Sequence, residues 1–177
     1  MLRDAGIEAE GVAPGVDEST IVGAIPPETA RHRAVAKAVE VSARRPENLV
    51  IGADQVAHLD GEAFGKPTST EDWRRRLGAL RGRTHTLTTA VAIAEDGALA
   101  DSFAVDTHVS FRADLSDDEI EDYIASGEGR ACAGGYMAEK RGAWLVETID
   151  GDWQNVIGLP LLPLLARLRA RGYRLPR

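Results

Sequence analysis

Cysteine is almost missing from this chain of 177 residues, and that scarcity excludes an internal disulfide: Cys132 has no partner of its own kind. Such usage suits a reducing compartment. Aromatic residues make up only 5%, so a core must be assembled mainly from Ala, Val, Leu and Ile. No apolar run approaches the roughly 20 residues that span a membrane. Met1-Leu2-Arg3-Asp4 also lacks the apolar centre of a secretory signal. A cytoplasmic location without a membrane partner is the expectation that remains. Positive charge is in deficit too, with 21 Lys and Arg against 28 Asp and Glu and a net charge of −7. That balance opposes a general nucleic-acid binder, which carries a basic surface. It leaves room for a phosphorylated small substrate held by a locally cationic pocket or a bridging metal. No G-x-x-x-x-G-K-[ST] loop and no G-x-G-x-x-G turn occurs, so P-loop and Rossmann cofactor sites have no support. His32, His58, His85 and His108 lack zinc-site spacing.

What is present reads as one globular domain over residues 1–177, with 44% apolar and 28% charged residues and no repeat or linker. Residues 27–43 read as a helix with Pro26-Pro27 at its entry and Ala30, Ala34, Ala38 and Val41 at helical spacing. Asn48 to Asp54 reads as a short buried strand ending at the charged Asp54. Residues 68–80 form a second helix, capped by Thr68 and Glu71 and buried through Trp73, Leu77 and Leu80. Arg74-Arg75-Arg76 is its solvated face. Alternation from Leu87 to Ile93 and from Phe103 to Phe111 marks two strands joined at Asp96-Gly97. Ser116 and Glu119 cap a third helix with Ile120, Tyr123 and Ile124 inward. Ala143 to Ile149 reads as another strand, and residues 160–171 as the last helix. Interleaved strands and helices with one hairpin indicate an α/β fold, a mixed central β-sheet flanked by helices.

Several residues in this frame could carry chemistry. Asp54 at a strand end could hold a divalent cation or accept a proton from water, or it could merely cap the next turn. Lys66 sits between Gly65 and Pro67, a fixed basic side chain suited to a phosphate oxygen or an ordinary turn lysine. Lys37 lies among small neighbours, Ala34-Val35-Ala36-Lys37-Ala38, either facing a cleft or on a helix surface. Asp17-Glu18 is a pair of carboxylates that could share a metal or stand in solvent. Cys132 has no nearby His in sequence and is a weak candidate for a nucleophile.

The order of these segments is more telling than any one of them. Asp17-Glu18, Ala34-x-x-Lys37-Ala38, Ile51-Gly-Ala-Asp54, Gly65-Lys66-Pro67, Leu80-x-Gly82-Arg83-x-His85, Ala133-Gly-Gly-Tyr136 and Ile149-x-Gly151-x-x-x-Asn155-Val-x-Gly158-Leu-Pro160 span nearly the whole chain. In that order they resemble the Maf family of nucleoside triphosphate pyrophosphatases. The resemblance implies a Maf/inosine-triphosphatase-like fold with an active-site cleft, a homodimer, and dependence on Mg2+ or Mn2+. It implies hydrolysis between the α and β phosphates, with Asp54 as proton acceptor, Lys37 and Lys66 facing the phosphates, and Asp17, Glu18 and Asp54 near the metal. Gln55 directly after Asp54, together with Glu139, is similar to the branch acting on 7-methyl-GTP. Gly134-Gly135-Tyr136 is closer to the dTTP/UTP branch. A non-catalytic nucleotide-binding regulator of cell division, in keeping with the family's older septum-formation name, is the alternative from another class.

One departure affects the same site. The family pattern begins with a strand and a Ser-x-Ser-x-Arg-Arg segment whose arginines would grip the triphosphate, whereas Met1-Leu2-Arg3-Asp4-Ala5-Gly6 aligns after them. The expectation is a start assigned too late in a longer protein; a truly short chain with an uncovered strand edge is the competing explanation.

Overall fold

The seam where the first helix meets the sheet is made of the smallest side chains in the protein. Ala30, Ala34 and Ala38 of helix α1 (Pro26–Arg44) are fully buried. They pack on Val56 of β1 (Val50–Leu59) and on Ala90, Ala92 and Ala94 of β3 (Thr84–Glu95). Gly52 completes the seam: a Cβ there would lie 2.5 Å from the Ala34 carbonyl oxygen and 2.8 Å from the Ala38 nitrogen. Without large side chains between them, helix and sheet approach closely over a long contact. Proline at its first turn lets α1 begin without a side-chain cap.

The structure, a computed structural model, describes residues 1–174. A turn at Asp60-Gly61 folds β1 onto the short β2 (Glu62–Phe64), and helix α2 (Thr70–Leu80) leads into β3. The turn from β3 to β4 (Ala98–Phe111) has positive φ at both Asp96 (49°) and Gly97 (73°), the twist that suits a two-residue hairpin. Buried Ser42 of α1 accepts the Gly97 N–H at 3.0 Å and anchors this turn to the helix. Helix α3 (Asp117–Ala125), β5 (Val146–Asp150), the one-turn α4 (Trp153–Val156) and α5 (Leu161–Ala170) follow. Among the described residues no helix is long and apolar enough to cross a membrane.

The sheet order is β2-β1-β3-β4-β5. The α/β layering agrees with the sequence, but every pairing among the described residues is antiparallel, not mixed. The reason lies in the connection from β1 to β3. The β2–α2 excursion leaves and rejoins the sheet at one end, so that His58 near the end of β1 faces Thr86 near the start of β3. A chain returning to the end it left runs back antiparallel. Even-numbered residues of β1 face α1, and odd-numbered ones face two other clusters. Ala57 and Leu59 join Trp73, Leu77, Phe111 and Tyr123 beneath α2 and α3. Ile51 and Ala53 join Val91, Ile93, Leu164 and Leu168 beneath α5.

Three local expectations change. The strand holding Asp54 does not stop there but continues to Leu59, because a ladder needs only backbone partners and Asp54 pairs with Ala90 in mid-strand. Helix α2 is capped by Ser69, which accepts the Asp72 N–H, while Thr68 donates from its backbone and hydroxyl to the Asp72 carboxylate. Ala143 to Leu145 belong to a 3-10 turn, Arg141–Leu145, that precedes β5. The Ser116–Glu119 capping box on α3 is as read from the sequence, both of its hydrogen bonds being formed.

Gly52→Ala should lower the unfolding free energy by about 1–3 kcal/mol, because its methyl meets backbone atoms that cannot rotate away. Urea denaturation measures this, and an unchanged midpoint would contradict the close approach.

Candidate active site

Because α1 lies so low on the sheet, the fourth residue of the helix after Arg33 reaches straight into β1. Lys37 Nζ is 2.6 Å from Asp54 Oδ1, 3.0 Å from Glu18 Oε1 and 3.5 Å from the Ala53 carbonyl oxygen. Asp54 is the buried member, its side chain only 9% exposed, and its Oδ2 has no hydrogen-bond partner among the described residues. Burial pushes the Asp54 carboxyl above its ordinary value. Lys37 opposes that through a hydrogen bond and its charge, Glu18 adds to the rise, and Arg33 works against it. The result is a carboxylate with one oxygen held and one oxygen free, more basic than an exposed aspartate.

Glu18 arrives from a strap of extended chain laid along α1. Arg33 Nε donates to the Ile21 carbonyl at 3.0 Å, Glu40 accepts the Gly15 N–H at 3.0 Å, and Thr29 Oγ1 accepts the Gly23 N–H at 2.9 Å. With Lys37–Glu18 these ties fall at helix positions 29, 33, 37 and 40, about one per turn. Asp17 takes a different role from its neighbour. Its carboxylate accepts from Ser19 N at 3.0 Å and Ser19 Oγ at 2.6 Å, capping the turn Glu18–Thr20 in solvent.

Asp17, Glu18 and Asp54 therefore do not form a three-carboxylate cage, and no three His, Cys, Asp or Glu side chains gather to hold a metal among the described residues. Two carboxylates flank the Lys37 ammonium instead, and Asp54 Oδ2 lacks a partner. Glu18 and the free Asp54 oxygen are the donors that could take a divalent cation such as Mg2+ or Mn2+, and magnesium commonly takes only one or two carboxylates and keeps waters.

Gln55 does not share the pocket of its neighbour, because consecutive strand residues face opposite sides of a sheet. Its Nε2 donates to Thr89 Oγ1 at 3.0 Å and to the Asn155 carbonyl at 2.6 Å. It lines a narrow cavity with Leu87, Cys132, Tyr136, Met137 and Glu139. Lys66 is near this second cluster: burial and Glu139 push the Cys132 thiol up, and the Lys66 charge draws it down. The Gly65 carbonyl before Lys66 accepts from Arg76 Nη1 at 2.9 Å. Arg76, paired with Asp72 and only 17% exposed, is thus not part of a solvated face. Arg74 and Arg75 do lie on the solvated side, Arg74 pairing there with Glu121 of α3.

Tyr136 and Met137 line this cavity, and buried hydrogen bonds hold the segment around them. Trp73 Nε1 donates to the Gly135 carbonyl at 2.6 Å, and the Met137 N–H donates to Tyr123 Oη at 3.0 Å. Tyr136 Oη and His85 Nε2 are 2.8 Å apart in the core. Asn155 is fully buried, its Nδ2 donating to the Leu87 and Val105 carbonyls and to Thr107 Oγ1. His85 shares the buried face of β3 with Leu87, two residues on. Nothing in sequence named its partner.

Burial holds His85 neutral, lowering its pKa from 6.5 to about 4. The folded state binds this proton less readily than the unfolded chain. The stabilisation is therefore complete above pH 6.5 and is lost as pH falls through the interval to about 4. Equilibrium unfolding across that range should show a loss of a few kcal/mol, and His85→Gln should flatten it; equal slopes for both proteins would contradict the assignment.

A family model described as Maf-like protein matches residues 1–171. The chain is 43% identical over 179 residues to a nucleoside triphosphate pyrophosphatase of Hyphomonas neptunium, covering 97% of this chain and 89% of that protein. It is 40% identical to a dTTP/UTP pyrophosphatase of Dictyoglomus thermophilum, covering 99% and 91%. It is 41% identical to a 7-methyl-GTP pyrophosphatase of Mesorhizobium japonicum, covering 97% and 90%. The chain belongs to the Maf family.

Proposed function

We propose that this Maf-family chain hydrolyses nucleoside triphosphates between the α and β phosphates, giving the nucleoside monophosphate and pyrophosphate. The observation that carries this reading is Asp54 itself: one oxygen held by Lys37, the other buried and free. Asp54 Oδ2 accepts a proton from water as the water oxygen bonds to phosphorus and the bridging P–O bond breaks, with pyrophosphate leaving. Lys37 neutralises charge on the phosphates and favours the ionised form of Asp54, opposing the effect of burial. Glu18, beside Asp54, would hold Mg2+ or Mn2+, which when bound supplies further charge neutralisation at the phosphates. Lys66, near the second cluster, serves substrate oxygens there. A cytoplasmic homodimer is the setting this proposal adopts, supported by the single cysteine and the family resemblance.

For the base, the hydrogen bonds of Gln55 matter more than its identity. Asn155 offers a backbone carbonyl, an obligate acceptor, so the Gln55 amide nitrogen must turn to it and Oε1 is what remains for a ligand. Glu139 is an acceptor as well. Two acceptors suit the N1–H and N2–H edge of guanine and favour a cationic methylated ring. Uracil and thymine would set carbonyl oxygens against them. A 7-methyl-GTP substrate is therefore the preferred reading, in keeping with the Mesorhizobium japonicum relative. The dTTP/UTP reading is supported by Gly134-Gly135-Tyr136 and by the Dictyoglomus thermophilum relative.

Pyrophosphate release from 7-methyl-GTP, GTP, dTTP and UTP with Mg2+ or Mn2+ is the test. Asp54→Asn should reduce turnover at least about 100-fold. Glu139→Gln should lower kcat/KM for 7-methyl-GTP by roughly tenfold, shifting preference toward the pyrimidines. Saturable binding without release from any nucleotide would instead establish the non-catalytic regulator.

A further inference from the structure

Arg33 is the other cation whose charge reaches Asp54. It stands one helical turn before Lys37 on the same face of α1, a separation of about 5–6 Å between their Cβ atoms. Its Nε is committed to the Ile21 carbonyl at 3.0 Å, which fixes the guanidinium by one edge and leaves the terminal nitrogens uncommitted. At the other end of this helix Arg44 lies 2.7 Å from Glu40 and Arg45 lies 3.8 Å from Glu10; Arg31, two residues before Arg33, is exposed and on another side of the helix, away from Lys37. Arg33 has no carboxylate at salt-bridge distance among the described residues. Lys37, by contrast, already faces two carboxylates, so its charge is more than balanced before any substrate arrives.

We propose that Arg33 is a second phosphate-binding residue, taking oxygens of the polyphosphate one helical turn from the group that Lys37 meets. The inference rests on the triphosphatase reading above and adds to it a residue which that reading does not need. Guanidinium geometry supports the role, because a fork held at Nε presents its remaining N–H groups in a fixed plane toward phosphate oxygens. The strap contributes directly: the Ile21 carbonyl orients Arg33 while Glu18, three residues earlier, meets Lys37. Arg33 thereby supplies the site with a cation that no acid among the described residues pairs with.

Calorimetric titration of the full chain with the non-hydrolysable α,β-methylene analogue of GTP, beside GMP, separates this role from a structural one. Arg33→Ala should weaken the triphosphate analogue roughly tenfold or more and leave GMP within about twofold. Arg33→Lys should recover part of the loss. Arg33→Gln, which keeps an amide donor for Ile21 but no charge, should behave like the alanine variant. Equal weakening of both ligands, recovery by Gln, or unchanged binding in Arg33→Ala would each overturn the proposal, as would absence of analogue binding by the unmodified protein. If the unmodified protein binds the analogue and loses it on Arg33→Ala but releases no pyrophosphate from any triphosphate, the hydrolase reading fails and the Arg33 assignment stands. Turnover with Arg33→Ala binding the analogue normally gives the reverse.

Discussion

How closely α1 can approach the sheet decides nearly everything about the site. A helix resting on leucines would stand away from β1, and a lysine on its flank would end in solvent. Here Ala30, Ala34 and Ala38 meet Gly52 and the alanines of β3, and Lys37 comes down on Asp54. The same approach buries the carboxylate. Burying an unpaired charge costs far more than a folded domain can bear, so the ammonium that arrives with the helix is also what makes the burial tolerable. Packing and chemistry are set by one choice of small side chains.

That arrangement puts two opposing effects on a single carboxyl group. Desolvation raises the basicity of Asp54, and Lys37 opposes the rise through a hydrogen bond and its charge. An exposed aspartate would be a poor proton acceptor at neutral pH, and a buried unpaired one would stay protonated. Function requires the compromise between them. On the opposite face of the same strand, Gln55 is held by Thr89 and Asn155, beside a cavity lined by Tyr136, whose hydroxyl meets His85 in the core. Adjacent residues of β1 thus belong to separate environments, one charged and one built from neutral hydrogen bonds around a carboxylate rim.

Local signals were legible in the sequence, and spatial partners were not. The α3 capping box, the Asp96-Gly97 turn and the alanine spacing of α1 depend on residues within a few positions of one another, and all three are present. Asp54 looked like a strand end because its charge interrupts an apolar run. The ladder continues beneath it since Lys37, from a distant helix, satisfies that charge. Strand direction was misjudged for a similar reason: β2 is too short to show a pattern, yet it reverses the chain before α2. Asp17 and Glu18 read as one pair, but a hydroxyl two residues on takes the first and a helix lysine the second. Arg33 gave no signal at all, because an arginine becomes notable only when its surroundings show that no acid answers it.

The titration of Asp54 tests this account most directly. Its carboxyl carbon can be followed by NMR across acid pH in the intact protein, assigned by comparison with Asp54→Asn. If burial under α1 outweighs the neighbouring lysine, the midpoint lies above the ordinary aspartate value of 3.8. A midpoint at or below 3.8 would contradict it, showing a carboxylate governed by Lys37 alone and a helix that does not exclude water from it.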